Sequence, residues 1–193
     1  MELLMCMRAL IATVIISLLV PHALRAEAPA TAPKTTQTAG AVAKAYYVEI
    51  SISGRRLTLF EAGANGDRLP VAEYPVGTAV RGLDTYPLGL GKVTGIYFDP
   101  WWYPTPYSRQ VFRDRGIVLP AKVPPGHPLN YMGAFKIALS HKTWKGAIYR
   151  IHGNNDPKRV GRRVTGGCFV MDNQDGLELA RRIRVGTQVN IVR

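Results

Sequence analysis

Cysteine is nearly absent from this chain. Cys6 and Cys168 are the only two in 193 residues, which excludes a fold stapled by several disulfides. Acidic residues are scarce as well, 13 Asp and Glu against 25 Lys and Arg, leaving a net charge of +12. The cysteines, carboxylates and four histidines nowhere gather at metal-ligand spacing, so no metal site is expected. Long hydrophobic runs are missing too. The most apolar stretch, Ala9 to Val20, has about a dozen residues where a membrane span needs about 20. No internal repeat and no second module is visible.

What the first residues do contain is the pattern of an export signal. Met7-Arg8 is a short basic start, Ala9 to Val20 the apolar run, Pro21-His22 its break, and Leu24-Arg25-Ala26 a cleavage site with a small residue before the cut. Residues 1–26 are therefore expected to be removed, leaving no stable membrane span and a periplasmic or otherwise exported product. Cys6 precedes the apolar run, which argues against a lipoprotein cysteine. Residues 27–44, rich in Ala, Thr and Pro, read as a flexible tether, and residues 45–193 as one domain large enough to bury a core. The basic balance suits an anionic partner. Nucleic acid fits such a charge in the cytoplasm, but not in an exported chain, where anionic wall polymers and lipid head groups are at hand. Plain solubility is the competing account of the charge.

The domain has a β texture. Tyr47 to Ile52 alternates apolar and polar residues, Ser53-Gly54 suggests a turn, and Arg56 to Phe60 resumes the alternation. Val71 to Val76 and Gly91 to Phe98 continue the pattern. Phe135 to Leu139 and Ala147 to Ile151 read as buried strands, with His152 at the exit of the second. Asp172 to Ile183 is the one clear helix, with Asp172 as its cap, Asp175 three residues on, and Leu177, Leu179, Ala180 and Ile183 as its apolar side. Gly186 ends it, and Gln188 to Val192 is a closing strand. Between these elements Asp99 to Gly126 is rich in Pro and aromatics and is expected to be a long ordered loop. Its aromatics either cap the core or serve a function. Beside a cleft, Trp101, Trp102 and Tyr131 are placed to cover a bound ligand.

With the leader gone, Cys168 is unpaired, in Thr165-Gly166-Gly167-Cys168-Phe169-Val170-Met171, sixteen residues after His152. A thiol at its ordinary pKa is a few per cent ionised near neutrality, so a nucleophilic cysteine needs a base or a positive neighbourhood. His152 can take the proton, and the carbonyl of Gly153 can hold its other ring nitrogen. The backbone N–H groups of Gly166, Gly167 and Cys168 can face a developing oxyanion. Taken alone, such a pair is also compatible with a buried thiol and a structural histidine.

The segment His152-Gly153-Asn154-Asn155-Asp156-Pro157, then Gly161, then Thr165 to Met171, resembles the signature of the YkuD-type L,D-transpeptidases. That family typically reads His-Gly-Thr-Asn-x-Pro, a spaced Gly, then Ser-His-Gly-Cys-Ile-Arg-Met, and the spacing agrees without an insertion. Tyr46 to Val76, Pro128 to Gly133 and Gly186 to Val189 are similar to other stretches of the family. The resemblance implies a mainly β, YkuD-like sandwich with no cofactor. It implies Cys168 as nucleophile, His152 as proton carrier, Gly153 as its orienting carbonyl and Gly166 and Gly167 as oxyanion donors. Tyr131, Trp102 and Asn154 would contact substrate. The partners implied are peptidoglycan stem peptides, with reactivity toward carbapenem-type β-lactams and a part in building the cell wall and its shape. A carboxypeptidase or endopeptidase acting on the same stems, and a peptidoglycan-binding relic without catalysis, are the alternatives. This sequence departs from the family at Gly166 for His, Val170 for Arg and Asn154 for Thr. The loss of that Arg removes a charge near the nucleophile. Arg150, Arg162 or Arg163 would either replace it or remain solvated surface charges.

Overall fold

The computed structural model describes residues 44–80, 87–142 and 148–193. The expected leader and, Lys44 apart, the tether lie outside the described residues, as does Ala147 at the start of a predicted strand.

Among the described residues one eight-stranded sheet dominates, as the alternation in the sequence led us to expect. In chain order its strands are β1 (Tyr46–Ser51), β2 (Arg56–Ala62), β3 (Arg68–Pro75), β5 (Gly89–Phe98), β6 (Phe135–Lys142), β7 (Ile148–His152), β9 (Phe169–Val170) and β10 (Gln188–Val192). Their spatial order is β3-β2-β1-β10-β5-β6-β7-β9, and the short strands β4 (Thr78–Ala79) and β8 (Arg163–Thr165) pair separately. β1 and β10 run parallel, with Tyr47 opposite Gln188. The corner is β5: residues Gly89 to Lys92 pair with β10, and Val93 to Phe98 pair with β6. Each half of the sheet therefore borrows a different part of this strand, and the sheet curls across itself. Val48, Ile50, Leu57 and Leu59 from one half pack with Ile137, Leu139, Ile151 and Phe169 from the other in a single buried cluster.

β3 begins three residues before the predicted strand. It is an exposed edge carrying Pro70 and Pro75, so it shows no apolar alternation at its start. β4, β8 and β9 have two or three residues each and leave no periodicity to detect. The late helix, α2 (Asn173–Arg182), is capped by the Asp172 carboxylate, which accepts from the N–H groups of Gln174 and Asp175. It stops at Ile183, ahead of Gly186, which belongs to the following turn. Gly176 is part of its inner face with Leu179 and Ala180. A Cβ there would lie 1.9 Å from the Phe135 ring, so the missing side chain lets the helix settle directly on β6.

The segment from 99 to 126 holds a second helix, α1 (Pro106–Arg113), where only a loop is expected. Thr105 caps it, accepting from Ser108 N–H, and Pro106 fills its first turn. Trp102, Phe112, Leu119 and Val123 form a small core of their own, against which Leu129, Tyr131 and Met132 pack. Arg109 donates to the carbonyls of Leu119 and Ala121, and the buried Asn130 amide donates to those of Pro100 and Pro124. This segment is thus a packed module pinned at both ends. No helix among the described residues is long and apolar enough to cross a membrane.

Candidate active site

Parallel pairing of β7 with β9 sets Ile151 beside Phe169 and His152 beside Val170. Extended one residue back, that register puts Arg150 beside Cys168. Side chains alternate along a strand, so Tyr149, Ile151 and Phe169 enter the core while Arg150, His152 and Cys168 share the opposite face. Two segments sixteen residues apart are thereby laid edge to edge, with the thiol and the imidazole on one surface.

His152 is buried, and its Nδ1 lies 2.7 Å from the Gly153 carbonyl oxygen. A carbonyl only accepts, so Nδ1 carries the hydrogen and Nε2 is the basic nitrogen. Desolvation lowers the imidazole pKa to about 4; the Gly153 carbonyl opposes this, and the charges of Arg159 and Arg150 add to it. The ring is therefore neutral near pH 7. The turn behind it is held by Asn173, at the start of α2. Its Oδ1 accepts from the N–H groups of Ala134 and Asn154, and its Nδ2 donates to the Asn154 carbonyl. A Cβ on Gly153 would fall 2.1 Å from that same Oδ1, so no larger residue fits between His152 and the clamp. Asn173 carries no motif of its own in the sequence.

Cys168 is partly exposed, in a turn shaped by Thr165. The Thr165 hydroxyl donates to the Cys168 carbonyl at 2.7 Å and accepts from Gly167 N–H at 3.1 Å. Gly167 has φ of +135°, a conformation that suits glycine alone. Its N–H is taken by Thr165, which leaves Gly166 and Cys168 as the candidate oxyanion donors and removes Gly167 from the expected set. A Cβ on Gly166 would be 3.4 Å from the Tyr107 ring, so α1 overhangs this turn. Desolvation raises the Cys168 pKa; the Arg150 charge, hydrogen bonds from Arg150 to the sulfur, and the Arg159 charge pull it back.

Val170 is fully buried and paired with Gly77. The cations acting on the thiol are instead Arg150, one of the three foreseen, and Arg159, which sequence reasoning passed over. Arg163 lies in β8 opposite Thr78, and Arg162 accepts from Thr78 N–H through its carbonyl. Arg159 ends a 3-10 turn, Pro157–Arg159, and its guanidinium stacks 4.6 Å above the Tyr131 ring. Tyr131 thus lies directly under Arg159, whereas two other expected substrate contacts do not fit that role. Trp102 is buried in the small core under α1, its ring 5.4 Å from Tyr131. Asn154 is buried, and its amide donates to the Met171 carbonyl, tying the turn to β9. Among the described residues no group of His, Cys, Asp and Glu is placed to hold a metal ion.

Compared with known proteins, the chain matches the YkuD family, the L,D-transpeptidase catalytic domain, over residues 45–191. It is 34% identical over 146 residues to "Probable L,D-transpeptidase YcfS" of Escherichia coli, covering 75% of this chain and 43% of that protein. It is 32% identical over 145 residues to "Probable L,D-transpeptidase ErfK/SrfK" of the same organism, with the same coverage. The chain thus spans less than half the length of these two relatives. Among solved structures it is similar to Bd1075 of Bdellovibrio bacteriovorus, at a TM-score of 0.51 and 18% identity over 76% of this chain and 47% of that one. An L,D-transpeptidase of Mycobacterium tuberculosis is similar at a TM-score of 0.51 and 14% identity, over 78% and 58% of the two chains. At such identities these two likenesses describe the fold.

Proposed function

Since the chain belongs to the YkuD family of L,D-transpeptidase catalytic domains, we propose that it is an exported peptidoglycan L,D-transpeptidase with Cys168 as nucleophile and His152 as proton carrier. The observation that carries this reading is the β7·β9 register, which sets the thiol and a neutral, tautomer-fixed imidazole on one face.

The raised thiol pKa and the lowered imidazole pKa describe a resting pair in which neither group is charged. The nucleophile is made during attack. The Cys168 proton passes to His152 Nε2 as Sγ bonds to the amide carbonyl carbon of a stem peptide. The Gly153 carbonyl stabilises the imidazolium through Nδ1–H. The N–H groups of Gly166 and Cys168 face the oxyanion, a contribution of about 3–4 kcal/mol per donor in comparable sites. Collapse breaks the C–N bond, Nε2 returns the proton to the departing D-amino acid amine, and a thioester remains. A side-chain amine of a neighbouring stem then gives its proton to Nε2, attacks the thioester and releases the thiol. The same thioester chemistry underlies the expected acylation by carbapenem-type β-lactams.

Incubating the protein and its Cys168→Ala variant with purified muropeptides tests this. Cross-linked dimers should form with the native protein, and the variant should be slower by at least about 10³-fold. Stems shortened by one residue, without dimers, would instead identify a hydrolase. Unchanged muropeptides with folded protein would overturn the enzymatic reading.

A further inference from the structure

Arg159 is set apart from the other arginines near the thiol. Its guanidinium lies over the Tyr131 face, and its Nη1 is buried without a hydrogen-bond partner among the described residues. It takes part in none of the ion pairs found there. Asp156, three residues before it, caps the same turn by accepting from Lys158 N–H and forms no ion pair with it among the described residues. A buried guanidinium N–H with no acceptor is costly, since the group loses water and gains nothing in return. The fold nevertheless fixes it there. Tyr131 is wedged against Trp102 and Phe112, and the Arg159 carbonyl packs so closely on Gly77 that a Cβ there would lie 2.4 Å from it. Gly77 in turn pairs with Val170, two residues after Cys168, which brings the Arg159 turn up to the thiol segment, and the Arg159 charge is felt by both Cys168 and His152. A planar fork stacked on an aromatic face, with an N–H to spare, suits a carboxylate.

We infer that Arg159 binds a carboxylate next to Cys168. On the function proposed above, on which the identity of the ligand rests, that carboxylate belongs to the stem peptide seated for attack. The charge that the family carries two residues after the cysteine is replaced here by one arriving from the turn after His152, stacked on Tyr131.

Two measurements on the full chain test this, using Arg159→Met, which keeps the stem over Tyr131, and Arg159→Lys, which keeps the charge. The first compares alkylation of Cys168 by iodoacetate and by iodoacetamide, which differ in a carboxylate. The iodoacetate-to-iodoacetamide rate ratio should fall about 10-fold in Arg159→Met and be partly restored in Arg159→Lys, while any change in thiol ionisation cancels in the ratio. The second compares stem tetrapeptides ending in a carboxylate or a carboxamide. The native protein should favour the carboxylate by about 10–100-fold in kcat/KM, mainly through KM, and Arg159→Met should erase that preference. An unchanged ratio in folded Arg159→Met overturns the inference; if that variant does not fold, Arg159→Gln decides in its place. Should the native protein turn over neither peptide, the transpeptidase reading fails and the alkylation ratio alone decides whether Arg159 holds an anion.

Discussion

At the scale of single residues the site is defined by two groups pushed in opposite directions. His152 resists protonation down to about pH 4, against about 6.5 in an unfolded chain. Between those values the unfolded chain binds a proton that the folded one refuses, so stability falls as pH falls through this window. The loss should be on the order of 3 kcal/mol between pH 7 and pH 4. Urea midpoints measured across that range should drop more steeply for the native protein than for His152→Gln. The acid limb of activity should lie near pH 4 to 5 for the same reason. Cys168 behaves conversely: its alkylation by iodoacetamide should still be accelerating above pH 9, since burial holds the thiol protonated. A plateau near pH 6 to 7 would indicate a resting thiolate–imidazolium pair and contradict the neutral arrangement.

At the scale of elements, what positions the site is the junction of β7, β9 and α2. Asn173 makes three hydrogen bonds across that junction. Its replacement by Ala should cost about 2–3 kcal/mol, read from urea unfolding, and should lower kcat even where the protein is fully folded, because the Gly153 carbonyl is no longer held. This level also shows what a sequence discloses. Cys168 and His152 were legible because their chemistry is rare in this chain and their spacing matches a known signature. The long strands and α2 were legible because burial writes period-two and helical patterns into them. Asn173 was not, since an asparagine after a capping Asp looks like any helix start, and only the fold brings Ala134 to it. Arg159 was hidden for a similar reason: it appears as one of several charges until the 3-10 turn folds it over Tyr131. α1 had a readable start in Thr105-Pro106, but eight residues with one buried side chain leave too faint a stripe.

At the scale of the whole molecule, charge and topology matter most. The net charge of +12 includes a cleft of about 370 Å³ lined by Lys44, Arg181, Arg182 and Arg184, with Tyr46 and Thr187. Lys44 and Arg182 are already paired with Glu61 and Glu178. Adsorption to anionic polymer should weaken as salt rises from about 0.01 to 0.15 M, where the screening length shrinks from about 30 to 8 Å. Turnover of small muropeptides should change little over the same range, which a sedimentation assay run beside a kinetic one would show.

The parallel pairing of β1 with β10 joins residues such as Glu49 and Asn190, 141 positions apart. A ribosome that has made β1, β2 and β3 has therefore made a ribbon whose inner neighbour does not yet exist. The middle of the sheet is the last part to be synthesised, so the nascent chain has no complete hydrophobic layer to close upon. Local hairpins can come and go, but the curled sheet waits for the strand that joins its halves. A polypeptide built this way stays threadable until its far end is available, which is what the export proposed above would demand of it.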